Sequence, residues 1–236
     1  MLDLLGSQCT GQQPVWYRGH SDKRWKLVPS VARTPNSLGA EFTLIKRFKQ
    51  NALPFIQRRP EHEWEWMYLL QHYGVPTRLL DWSESPLVAL FFACEEVAMH
   101  GEDGAVWCLL PRELNKIANV SHNHEKELPF LGEELITESY LPSKVAQERT
   151  SYLKPVAATG VRDSPRMYAQ LGTFTIIHRV AHPIEELDNK KHIWRWIVPK
   201  GKKKLLLAEL NKLSINRLSL FPELSSVAQL AKEDMV

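Results

Sequence analysis

The densest chemistry in the sequence is Trp16-Tyr17-Arg18-Gly19-His20, where an arginine is flanked by an aromatic residue, a glycine and an imidazole. A planar guanidinium offers paired donors that match phosphate or carboxylate, and the adjoining glycine permits close backbone approach to a ligand. A second run, Gln71-His72-Tyr73-Gly74-Val75-Pro76-Thr77-Arg78-Leu79-Leu80-Asp81-Trp82, supplies further donors, acceptors and rings just ahead of an apolar segment. A third, Arg166-Met167-Tyr168-Ala169-Gln170-Leu171-Gly172-Thr173-Phe174, adds Gln170. Each has a plainer reading: Arg18 closes an internal ion pair with a carboxylate such as Asp81, Thr77, Arg78, Asp81 and Ser83 cap and turn the chain, and Gln170 belongs to an ordinary turn.

Positioning these groups requires regular elements. Val15 to Tyr17, after Pro14, read as a short strand that leaves Arg18 at its end. Phe42, Ile45, Phe48 and Ala52 recur at helical spacing, and a second helix is expected from about Glu61 to Tyr73, ended by Gly74. Ser85 as N-cap and Pro86 at the first helical position open a helix to about Ala98, apolar nearly all round and therefore buried. Strands are expected over Gly104 to Leu110, Leu135 to Tyr140, Thr173 to Arg179 and Ile193 to Val198. Helices are expected near Leu205 to Leu213 and Glu223 to Lys232, and the stretches Asn115 to Glu134 and Ala157 to Pro165 read as loops. The fold class is α+β, residues 1–236 forming a single domain with a central mixed or antiparallel, possibly split, sheet and one buried helix.

With 44% hydrophobic residues and eight tryptophans in 236 residues the chain has enough apolar area for a core, which excludes a disordered polyelectrolyte. Three dispersed cysteines, Cys9, Cys94 and Cys108, make neither a disulfide framework nor a thiolate zinc site, and no apolar run reaches the roughly 20 residues of a membrane span. A cytoplasmic, reducing location is expected. No metal is expected: His122 with His124, and His178 with His182, have spacings that metal sites use, but no cysteine stands near either pair and paired histidines alone are seldom ligands. A net charge of +3 permits a polyanionic partner without requiring one. Lys200-Gly201-Lys202-Lys203-Lys204, preceded by Trp194 and Trp196, suits either nucleic acid or an ordinary solvated turn.

Taken together, Tyr17-Arg18-Gly19, the run from Gln71 to Trp82 with the Ser85-Pro86 helix, Gln170-x-Gly172-x-Phe174 and Leu220-Phe221-Pro222-Glu223-Leu224 resemble the FRG domain, a family named for its aromatic-Arg-Gly motif. The resemblance implies a bacterial or phage-related protein, in some cases associated with defence or toxin-type effectors. Its motif layout is remotely similar to ADP-ribosyltransferases. That similarity implies NAD as substrate, held by Tyr17, Arg18, Gly19, His20, Thr77, Arg78, Trp82 and Ser83, with Arg18, Asp81 and Gln170 as catalytic residues and a protein or nucleic acid as acceptor. The sequence departs from the ADP-ribosyltransferase pattern in carrying Gln170 where a late glutamate is expected. An amide cannot act as a base. The alternative is a noncatalytic module for nucleic acid or a phosphorylated ligand.

Overall fold

The computed structural model describes residues 13–34, 37–120, 127–148, 151–188 and 190–233. Among these, six strands form one sheet: β1 (Trp16–His20), β2 (Leu79–Ser83), β3 (Gly104–Leu109), β4 (Val156–Ala158), β5 (Gly172–Ile176) and β6 (Ile193–Val198). Their order is β4-β5-β2-β1-β3-β6, and every strand pair is antiparallel. The sheet is divided at its centre. β1 runs beside β3 over five register pairs, whereas β1 and β2 share only Tyr17 with Ser83 and then diverge. Backbone groups beyond that pair are left to other partners.

The helices that cover the sheet follow the sequence periodicities. Helix α1 (Ser37–Ala52) and α2 (Glu63–His72) pack Ile45, Trp64, Met67 and Leu70 on Leu79, Phe174 and Ile176 of the β4-β5-β2 half. Helix α3 (Pro86–Cys94) lies against β1, its Val88, Ala89, Phe91 and Ala93 joining Tyr17, Val106 and Cys108 in a second cluster. Its start is as expected: Ser85 accepts from the Val88 N–H at 3.4 Å, and Pro86 follows. The opposite face of the sheet buries Trp16, Leu80, Trp82, Trp107 and Leu109 under Leu27, Leu114 and Ile184. Strand alternation sends neighbouring residues to different faces, so Trp16 and Tyr17 serve different clusters.

Several expectations are corrected. Arg18 does not end its strand, because Gly19 and His20 continue it in register with Val106 and Ala105 of β3. Helix α3 stops at Cys94 and not near Ala98, and β5 stops at Ile176 and not at Arg179. Leu135 to Tyr140 is not a strand; α5 (Leu135–Glu138) is one helical turn, and α6 (Pro142–Gln147) follows it. The stretch expected to loop from Asn115 begins inside α4 (Pro111–Ile117), a helix of two turns whose short apolar pattern is hard to read. The stretch from Ala157 begins inside β4, a three-residue edge strand with two alanines and so little β signature. Helices α7 (Pro165–Ala169), α8 (Lys203–Lys212), α9 (Arg217–Leu220) and α10 (Leu224–Glu233) complete the described elements. Among the described residues no helix is long and apolar enough to cross a membrane.

Candidate functional site at the divided sheet

Arg18 reaches from β1 into the opening that β2 leaves. Its Nε–H donates to His20 Nε2 at 3.1 Å, and its Nη1 donates to the Asp81 carbonyl oxygen at 2.6 Å. Both acceptors are neutral, so the guanidinium is oriented without being neutralised by a direct carboxylate bond. Burial pushes the Arg18 pKa down to about 10, with Asp81 opposing and the nearby Arg33 adding to the shift. Two guanidiniums beside one opening make a natural anion site.

The opening leads into a cavity of about 660 Å³, whose lining brings together Arg18, Asp81 and Gln170 from three separate segments. That volume lies within the range of small-molecule sites. Phe174 and Leu79 line it from the sheet, Tyr68 and His72 from α2, and Asp163 and Met167 from the segment around α7. Asp81 is set by a short relay: Thr77 Oγ1 donates to Gln71 Oε1, and Gln71 Nε2 donates to Asp81 Oδ2 at 2.8 Å. Gln170 is less free. Its Nε2 donates to the Leu220 carbonyl at 3.0 Å, and its own carbonyl accepts from Ser83 Oγ at 2.7 Å. It ties α9 to the cavity wall.

The remaining expected contact residues lie around the cavity without lining it. Tyr17 is buried beneath α3 and stacks near Trp196, with ring centroids 6.4 Å apart. Gly19 admits α3 and not a ligand: a Cβ there would lie 2.0 Å from the Ala89 carbonyl oxygen and 2.6 Å from the Ala93 nitrogen. Arg78 is 2% exposed and bonded to Glu41, so its guanidinium is structural. Trp82 is buried on the far face with Nε1–H donated to Thr175 Oγ1 at 2.9 Å. Ser83 fastens the end of β2 to Gln170 and accepts from the Ser85 N–H at 3.0 Å. Thr77 is fully buried and acts through Gln71.

His20 supports Arg18 from below. It is 3% exposed, and burial, reinforced by Arg18 and Arg33, holds its pKa down to about 3. A neutral ring is what allows Nε2 to accept from Arg18. In the unfolded chain a histidine ionises near 6.5, so between about pH 6.5 and 3 the unfolded state binds the extra proton and stability falls with acidification. Between pH 7.5 and 5, urea denaturation of the parent protein is expected to lose about 2 kcal/mol more than His20→Gln, which lacks this titration. Equal losses in both proteins would contradict the assignment.

Sequence reasoning missed several lining groups, among them Arg33, Glu65, Tyr68 and Asp163. Burial, with Glu65 nearby, pushes the Asp163 carboxyl upward against the pull of Arg58 and His72. No local motif marks these residues; only the return of distant segments to one opening does. Other candidates resolve differently. Lys203, from the basic cluster, is buried and donates Nζ to the carbonyls of Ser21 at 2.6 Å and Met99 at 2.8 Å. Trp194 and Trp196 pack on the α3 cluster. Cys94 and Cys108 are buried, and burial raises the Cys94 thiol to about 11, away from nucleophilic use. Among the described residues no three His, Cys, Asp or Glu side chains assemble as a metal site, while Cys9, His122 and His124 lie outside those residues.

Residues 13–102 match the family described as FRG domain. No curated protein and no solved structure matches the chain. The matched stretch contains Arg18, Asp81 and α3, while Gln170, Asp163 and Phe174 close the cavity from beyond it.

Proposed function

Because the chain carries an FRG domain over residues 13–102, with its signature arginine at the opening of a divided sheet, we propose that it binds a phosphorylated nucleotide there and acts on NAD as an ADP-ribosyltransferase-like enzyme. The observation that carries this is the convergence of Arg18, Asp81 and Gln170 on one cavity. Arg18 and Arg33 take the phosphates by charge-assisted hydrogen bonds. Asp81, oriented by Gln71, faces the ribose. Cleavage of the nicotinamide glycosidic bond passes through an oxocarbenium-like ribose, which a nearby carboxylate stabilises. Gln170 serves by position, since its amide is held by Leu220. The acceptor is a protein or nucleic acid, and a defence or toxin-type role follows if transfer to a host component is observed.

The engagement of Gln170 with a backbone carbonyl also favours a second reading, a noncatalytic module for nucleic acid or another phosphorylated ligand. Calorimetric titration with NAD and an assay for released nicotinamide separate the two. Binding with release supports the enzyme, and binding without release assigns the module. Arg18→Ala is expected to weaken NAD binding by roughly 10- to 100-fold, the scale of a lost hydrogen bond to a charged group. Absence of NAD binding by the parent protein would sink the nucleotide reading.

A further inference from the structure

The cavity lining includes three tyrosine or phenylalanine rings, and they are used differently. Tyr68 and Phe174 stack on each other at 5.2 Å and are buried. Tyr73 is 62% exposed. It caps the C-terminal end of α2 through its backbone N–H, which donates to the carbonyls of Leu69 and Gln71, and Gly74 at φ 74° then turns the chain away. The cap therefore requires the Tyr73 backbone and makes no demand on its ring. His72 meets that ring edge-on at 4.9 Å and Phe48 leans on it at 6.4 Å, contacts that hold its plane while leaving most of its surface to solvent.

An oriented ring with an open face, on the wall of a cavity that also presents the Arg18 and Arg33 guanidiniums, combines the two chemistries that distinguish a nucleotide from a bare phosphate. We propose that Tyr73 is the base platform of the site, stacking the aromatic base of the nucleotide whose phosphates Arg18 takes. This rests on the nucleotide reading above. Stacking tolerates any base because each has a π face, so Tyr73 selects for a nucleobase without naming which.

ADP and inorganic pyrophosphate share the anion and differ in the nucleoside, which makes them the probes for calorimetry on the full chain. The parent protein is expected to bind ADP more tightly than pyrophosphate. Tyr73→Ala lowers ADP affinity about 5- to 100-fold and leaves pyrophosphate unchanged. Tyr73→Phe keeps the ring and keeps the ADP affinity. Arg18→Ala weakens both probes. If Tyr73→Ala leaves ADP binding intact while Arg18→Ala weakens both ligands, or if Tyr73→Ala weakens both equally, the base platform is overturned and the nucleotide reading stands. If the parent protein binds neither probe, both are overturned.

Discussion

Replacing Gly19 with alanine is expected to destabilise the protein by about 3 kcal/mol or more, a fall in Tm of about 6–12 °C for a chain of this size. The added methyl carbon would stand 2.0 Å from the Ala89 carbonyl oxygen, 2.6 Å from the Ala93 nitrogen and 2.9 Å from Phe92 Cβ. The first two contacts are helix backbone, which cannot rotate aside as a side chain would. Relief therefore demands that α3 move off β1, opening the cluster formed by Tyr17, Val88, Ala89 and Cys108. Differential scanning calorimetry checks this against Gly39→Ala, where nothing lies within 4 Å and the site is helical. There alanine is expected to be neutral or to stabilise by up to about 1 kcal/mol. A Gly19→Ala protein as stable as its parent would show that the packing of α3 on β1 does not depend on the missing Cβ.

The second large effect is expected at Arg78. Its backbone N–H and Nε–H donate to the Glu41 carboxylate at 2.9 Å and 2.8 Å, and its Nη2 closes the ion pair with both side chains 2% or less exposed. Nη1 donates to the Tyr140 carbonyl at 3.0 Å, so the guanidinium links β2, α1 and the end of the α5 segment. Arg78→Met would leave a buried carboxylate with no counterion, a loss of about 3–5 kcal/mol. Glu41→Leu combined with Arg78→Met removes both charges and is expected to recover much of that loss, because the desolvation of an isolated ion disappears with the ion. Urea denaturation of the two variants measures the difference. A double variant no more stable than the single one would mean that the hydrogen bonds to backbone carbonyls, and not the charge pairing, dominate.

These two residues illustrate how motif membership and function part company. Gly19 and Arg78 both stand in the chemistry-bearing runs of the sequence, yet one makes room for a helix and the other closes a buried ion pair. Arg18 differs because its partners, His20 and the Asp81 carbonyl, are neutral and its guanidinium lines a cavity. The sequence alone equally fits an ion pair between Arg18 and the Asp81 carboxylate. In the structure the bond goes to the Asp81 backbone, while the carboxylate accepts from Gln71.

Local pattern was sufficient for most elements. The Ser85-Pro86 cap, the apolar run of α3, the spacing of Phe42, Ile45 and Phe48 in α1, and the alternation of β5 are interactions within a few residues of chain, so the sequence displays them directly. An element as short as α5 or β4 holds too few residues for a period to register. The site needed more than period. That β1 and β2 part after one register pair, that Glu41 meets Arg78 across 37 residues, and that Asp163 and Tyr73 share a cavity with Arg18 are facts about distant segments. Local sequence reads an aromatic-arginine pair at the end of a strand in an α+β fold, with Gly19 and His20 in the turn beyond it, whereas β1 continues through His20. That this arginine faces an opening in the sheet while Tyr17 and Gly19 face α3 is set by the packing of distant segments, because alternation along a strand separates adjacent side chains without saying what lies on either side.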